Sequence, residues 1–188
     1  MKVLIASDLH GAAQATSLLV SRIEEEKPTD ILLLGDILYH GPRNTLPLDY
    51  ETKQVVKLLT PYEDHIHAVR GNCDAEVDNW MFSFNLEKPS LTLYDSEAKV
   101  TLFATHGHRF GMNPNEPQEL QNLPEPCVFC SGHTHIKVLE KKGNVIFVNP
   151  GSVGIPKDDC AGYAIYEKGG VILKKLEDGS EISRISFE

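Results

Sequence analysis

A chain of 188 residues is the size of one ordinary domain and can bury a sizeable core, so a single folded unit over residues 1–188 is expected. With 18 Lys and Arg against 27 Asp and Glu, the net charge is −9, which argues against broad electrostatic binding to nucleic acid or to an anionic membrane. Any phosphate chemistry in such a chain needs cations.

In chain order, residues 2–7 form a short apolar run, too brief for the core of a secretory signal and closed by Asp8. It reads as a strand of a chain that stays in the cytoplasm. Ala15, Leu18, Leu19 and Ile23 then recur at helical spacing until Pro28 interrupts, which predicts a crossover helix. Residues 31–34 form a second buried strand. Gly41, Pro42, Asn44 and Pro47 mark a long loop, Asp49 is placed to cap a helix carrying Val55, Val56 and Leu59, and Pro61 stops that helix. Residues 66–70 supply a third strand, and the β-α-β-α-β pattern implies a parallel sheet with right-handed crossovers.

Strand-length runs dominate the remainder, at residues 90–94, 99–105, 126–131, 145–148, 163–166, 171–176 and 182–187. Turns such as Lys142-Gly143-Asn144, Lys168-Gly169-Gly170 and Asp178-Gly179-Ser180 predict antiparallel hairpins, giving a second sheet that stacks on the first. No run approaches the roughly 18 apolar residues of a membrane span. Cys127-Val-Phe-Cys130 has C-x-x-C spacing, but on a strand its thiols point to opposite faces. Four cysteines are also few for a disulfide scaffold, so buried thiols are expected.

Polar residues gather where strands end. Asp8-Leu9-His10 follows the first, Gly35-Asp36 the second, Gly71-Asn72-Cys73-Asp74 the third, His106-Gly107-His108 the 99–105 strand and Gly132-His133-Thr134-His135 the 126–131 strand. Each alone is explained by turn or cap chemistry. Ligands of open α/β sheets bind at the carboxyl ends of strands, so one crevice can collect all five clusters. Together they supply carboxylates, an amide and imidazoles, a donor set suited to borderline or moderately hard cations. In extended backbone, residues i and i+2 face one side, so Asp8 with His10, and His133 with His135, are expected to point toward a common centre. Two cations about 3.5–4 Å apart are the standard device for in-line attack on phosphorus, and they resolve the objection of an acidic chain. Asp36 is the natural carboxylate to bridge them.

The series Asp8-x-His10, Gly35-Asp36, Gly71-Asn72-x-Asp74, His106-Gly107 and Gly132-His133-x-His135 resembles the calcineurin-like metallophosphoesterases, in the same order and nearly end to end. The stretches His40-Gly41-Pro42-Arg43-Asn44, Arg70-Gly71-Asn72-Cys73-Asp74 and Asn149-Pro150-Gly151-Ser152 are similar to those of the small bacterial YfcE-type phosphodiesterases. The resemblance implies an α/β fold of two stacked mixed β-sheets flanked by helices, an αββα sandwich, in agreement with the pattern above. It implies one divalent metal ion on Asp8, His10, Asp36 and His135 and a second on Asp36, Asn72, His106 and His133. Manganese is favoured, and the same donors accept iron, zinc, nickel or magnesium. The implied activity is hydrolysis of a small phosphodiester at this dinuclear centre by a metal-bound hydroxide.

Many members of the family have His where this chain has Cys73, and a neutral thiol is a poor proton donor. Cys73 is therefore either a packed small side chain or a substitute catalytic group. His108 either protonates the leaving group or supports His106, and Asp74 reads as a supporting or capping carboxylate. His40 and Arg43, on the long loop, are candidates for contacting a phosphate oxygen. His65 and His67 are expected at the exposed start of a strand, and Asn149-Pro150-Gly151-Ser152 as a tight turn near the ligand loops. Trp80, Phe82 and Phe84 alternate as in a strand and either cap the core or form a patch for a homo-oligomer. Three other functions fit less of the pattern: a phosphomonoesterase with the same centre, a protein-binding scaffold on the same fold, and a nuclease, which the charge disfavours.

Overall fold

The computed structural model describes residues 1–109 and 123–187. Alternation along the first strand, β1 (Lys2–Ala6), decides where it lies. Leu4 and Ala6 join a core that includes helix residues, whereas Val3 and Ile5 join a core shared with a second sheet. Such a strand is buried on both faces, as parallel strands between layers are. Helix α1 (Ala13–Glu26) leads to β2 (Asp30–Leu33), and α2 (Thr52–Leu59) leads to β3 (Ile66–Ala68). Both β1–β2 and β2–β3 pair in parallel, as the alternating pattern predicts.

The second half carries the hairpins that its glycine turns predict and adds parallel pairs that those turns do not foresee. β4 (Ser90–Asp95), β5 (Val100–Thr105), β6 (Cys127–Cys130), β7 (Lys137–Lys142) and β8 (Val145–Pro150) form a sheet of order β4-β5-β6-β8-β7. Its β5–β6 and β6–β8 pairs are parallel, and only the outer pairs β4–β5 and β7–β8 are hairpin-like. The parallel pairs matter because they bring the carboxyl ends of β5, β6 and β8 to one edge. β9 (Gly162–Glu167), β10 (Gly170–Lys175) and β11 (Glu181–Ser186) return to the first sheet, whose order is β11-β10-β9-β1-β2-β3. Both sheets are thus mixed.

The sheets meet through residues such as Leu32, Leu34, Val69, Leu102, Val128 and Cys130. Tyr166 Oη reaches across to Asp95 Oδ2 at 2.9 Å. Cys127 lies in a separate cluster with Phe129 and Val145, so the C-x-x-C thiols do face opposite sides of β6. Among the described residues no helix is long and apolar enough to cross a membrane.

Three local expectations are corrected and a fourth, the stop at Pro61, is extended. Leu18 sits on the outer side of α1, 41% exposed, and the buried face is Ala13, Thr16, Leu19 and Ile23. Asp49 caps α1 rather than α2. Ala12, at the start of α1, offers no side-chain acceptor, and Asp49 fills the gap: its carbonyl accepts from Ala13 N–H (3.1 Å) and its carboxylate from Gln14 N–H (2.6 Å). Pro61 ends α2, but the chain continues as a 3₁₀ turn, Thr60–His65. Trp80 lies on another 3₁₀ turn, Glu76–Met81, not on a strand. It is 75% exposed, whereas Phe82 and Phe84 are buried and stacked at 4.6 Å, closing the helix-side core.

Candidate metal centre

The loops after β1, β2, β3, β5 and β6 converge, and the backbone does it in a way that strand alternation does not foresee. Asp8, His10, Asp36, His133 and His135 all have left-handed backbone, with φ of 56°, 49°, 55°, 69° and 61°. Asp and His tolerate this region better than most side chains. The i, i+2 pairs therefore converge from left-handed turns rather than from extended chain. Two glycines make room for them. A Cβ at Gly71 would stand 2.0 Å from Asp36 Oδ1, and one at Gly132 would stand 1.9 Å from Ser7 Oγ.

Three imidazoles are anchored alike. His10 Nδ1–H donates to Tyr39 O (2.8 Å), His106 to Leu34 O (2.7 Å) and His135 to Ile155 O (2.7 Å). A carbonyl only accepts, so each Nδ1 carries the proton and each Nε2 presents its lone pair. Those Nε2 atoms crowd together: His10 and His135 stand 3.1 Å apart, and His106 lies 3.1 Å from Asn72 Oδ1. The carboxylates are split in the same sense. Asp8 Oδ2 accepts from Ser7 Oγ (2.6 Å) and His133 N–H (2.9 Å), whereas its buried Oδ1 has no hydrogen-bond partner and faces His135 Nε2 at 3.2 Å and His10 Nε2 at 3.5 Å. Asp36 Oδ1 accepts from Cys73 N–H (2.8 Å), and Oδ2 lies 3.4 Å from His106 Nε2 and 3.8 Å from His10 Nε2.

Asp8, His10 and His135 thus place ligand atoms within 4.8 Å of one another, as do Asp8, Asp36 and His106. Lone pairs that face each other with an orphaned buried carboxylate oxygen fit a divalent cation, which would satisfy all of them at once. Without one, the site attracts protons. Burial opposes charging His106, but Asp36 and Asp8 overcome this and raise it to about 9. Burial likewise pushes Asp8 up, yet the close approach of His10 and His135 and the nearby His106 hold it well below the usual carboxylate range.

The other sequence candidates divide. His133 is half-buried and lines the cleft, with its ring 5.2 Å from that of His106, but it is absent from the tight donor groups. Cys73 joins them: its Sγ lies within the same 4.8 Å as donors of His10 and Asp36, and burial followed by the Asp36 charge pushes its thiol up to about 12. His108, half-buried, accepts from Arg109 Nε (3.3 Å), and its ring lies 5.4 Å from that of His106, tilted by 57°, without lining the cleft. Arg43 lines the cleft. His40 does not; its ring packs between Tyr39 and Tyr50. Asp74 supports the site: its carboxylate accepts from the N–H groups of Asp36 (2.8 Å), Ile37 (2.9 Å) and Gly71 (2.7 Å), and burial lifts it to about 6.

Sequence reasoning missed Ser7, Tyr39 and Lys157. Ser152 was seen only as part of a turn; its Oγ donates to Asp8 O (2.7 Å) and accepts from Ile155 N–H (2.8 Å), tying that turn to the ligand loops. The cleft holds about 560 Å³, and Asp36, Asn72, His133 and His135 are among the residues that line it.

Residues 1–169 match the calcineurin-like phosphoesterase superfamily domain. The chain belongs to that superfamily. Over 188 residues, covering 100% of this chain and 98% of the relative, it is 37% identical to phosphodiesterase YfcE of Escherichia coli strain K12. A probable metallophosphoesterase of Bacillus subtilis, YsnB, is 27% identical, with 95% of this chain and 98% of that one covered. The solved structure of the E. coli phosphoesterase YfcE superposes with a TM-score of 0.90 over 100% of both chains, at 37% identity. Zinc-bound Vps29 of Entamoeba histolytica, 18% identical with a TM-score of 0.67 over 100% of both chains, shares the fold. This superfamily member is accordingly a hydrolase of phosphoesters.

Proposed function

We propose that the chain is a metal-dependent phosphodiesterase with a dinuclear centre, acting on a small phosphodiester, with manganese as the favoured ion. The observation that carries this reading is the orphaned Asp8 Oδ1, buried among the Nε2 atoms of His10 and His135. Asp8, His10, Asp36 and His135 would hold one ion, and Asp36, Asn72, His106 and His133 the other. Two such ions supply a lowered pKa for bound water and neutralise charge on the phosphate. The protein's part is preorganisation: carbonyl bonds to Nδ1 stop the three rings turning, and Asp74 fixes the backbone that carries Asp36. Cys73 is a neutral thiol whose burial pushes it up, and a neutral thiol is a weak proton donor. A site so equipped favours esters with good leaving groups and one negative charge, which need little proton donation. That favours diesters over monoesters. The full donor set likewise favours an enzyme over a protein-binding scaffold.

The test is metal-depleted protein reconstituted in turn with manganese, iron, zinc, nickel and magnesium. Bound metal is measured together with hydrolysis of bis(p-nitrophenyl) phosphate and p-nitrophenyl phosphate. Two ions per chain and faster diester turnover are expected. A chain that takes up none of these metals, or that cleaves only the monoester, overturns the reading.

A further inference from the structure

Acidic residues outnumber basic ones in this chain by 27 to 18, yet the cleft over the candidate centre is bordered by cations. Arg43 and Lys157 both line it and both are exposed. Among the described residues neither is paired with a carboxylate. Lys137 shows the alternative: its ammonium is taken up by Asp158 (2.6 Å) and Asp159 (3.1 Å). Leaving two cations unneutralised at one cleft runs against the bulk composition and focuses a positive field there.

The two side chains come from separate segments that are each tied down. Arg43 lies on the loop after β2, where Gly41 turns with φ 79° and Asn44 Nδ2 donates to His40 O at 2.8 Å. Lys157 follows β8, and its own N–H donates to His135 O at 3.1 Å, so its backbone is fastened to the metal loops. Asp36, already assigned to the ions, is the one carboxylate among the described lining residues, so nothing else there repels a second anion. A volume of about 560 Å³ suits a small organic ligand and exceeds the needs of a single phosphoryl group.

From this juxtaposition we infer that Arg43 and Lys157 are specificity-determining residues that recognise a second anionic group of the substrate, in its simplest form a terminal phosphate, apart from the phosphodiester that is cleaved. The inference rests on the phosphodiesterase reading and adds a substrate class to it: small diesters that carry a further phosphate. Such a group brings about −1.5 to −2 charge at neutral pH. Arginine can grip it with two parallel N–H bonds, and lysine serves as a point charge. One exposed charge pair changes affinity by a few-fold, and two acting together give about tenfold.

The test uses thymidine 5′-(p-nitrophenyl phosphate) with and without a 3′-phosphate, which share one leaving group and differ only in the distant anion. Manganese-loaded protein should show about tenfold higher kcat/KM for the 3′-phosphorylated ester, expressed in KM. That preference should shrink several-fold in Arg43→Gln and in Lys157→Gln, survive in Lys157→Arg, and fall as salt is raised. Binding of thymidine 3′,5′-bisphosphate and of thymidine 5′-phosphate is measured by calorimetry on metal-loaded and on metal-depleted protein, with the same preference expected. Equal handling of each pair by the unsubstituted protein, or an unchanged preference in both Gln variants, overturns the inference. If neither aryl ester is cleaved while the bisphosphate still binds about tenfold tighter, the phosphodiesterase reading fails and recognition of the second anion stands.

Discussion

Two carboxylates stand near the two ends of β1 and are treated in opposite ways. Glu26, by the start of the strand, is saturated: Oε2 accepts from Lys2 Nζ at 2.9 Å, and Oε1 from Lys174 Nζ and from Tyr163 Oη at 3.1 Å. Asp8, just past the end, is saturated on one oxygen and bare on the other. A carboxylate whose oxygens all have protein donors is a finished piece of structure. One with a buried oxygen left over is waiting for something the chain does not provide. Both groups are acidic beyond the ordinary, so acidity alone does not tell them apart.

The largest expected effect lies at the incomplete site. Asp36→Asn keeps the shape but removes charge shared by the two proposed ions, so metal content and turnover should fall together by about a hundredfold or more. Glu26→Gln should leave metal content alone. Near-normal turnover in Asp36→Asn would break the contrast.

A smaller effect separates the regions thermodynamically. Manganese at a hundredfold excess over its dissociation constant should stabilise chelator-stripped protein by about 2.7 kcal/mol, roughly 5–10 °C in melting temperature at this size. An unchanged midpoint across a wide titration would mean that the orphaned oxygen needs no cation.

Glu26 gives a finer test. Burial pushes it up, but Lys174 and Lys2 outweigh this and bring it to about 2, below its ordinary 4.5. A depressed folded value contributes stability that is present above about 4.5 and is lost as pH falls toward 2. In metal-free protein, Glu26→Gln should therefore be about 1 kcal/mol less stable than the parent at pH 6, and the gap should close by pH 2. Denaturant midpoints at the two pH values check it, and a gap that persists in acid would assign the loss to packing.

The smallest effect concerns the cleft. Cys73→His places an imidazole beside Asp36 and should raise monoester over diester turnover by a few-fold. An unchanged ratio would mean that position 73 does not face the leaving group.

Much of this contrast was legible in the sequence, because strand-length runs end in polar clusters and parallel sheets send such ends to one edge. That pattern alone puts Asp8, His10, Asp36, His106 and His135 among the polar clusters, and the family resemblance singles them out as candidate ligands. Their left-handed backbone could not be read there, since alternation describes chain that stays extended. β7 escaped notice because four of the six residues of Lys137–Lys142 are charged, as in many edge strands. The return of β9 to pair with β1 is a contact across most of the chain, which no local pattern carries. Asp49 capping α1 and Lys157 lining the cleft are likewise long-range, whereas Trp80 misled because three aromatics at alternate positions imitate a strand.

The five left-handed residues of the site have an evolutionary consequence. Each non-glycine residue held there costs about 1 kcal/mol or more, so together they absorb stability comparable to the net margin of a small domain. Selection for hydrolysis has to renew that concession in every generation. A descendant that abandoned the reaction would be free to place glycine at these positions, and it would grow sturdier as the candidate site decayed.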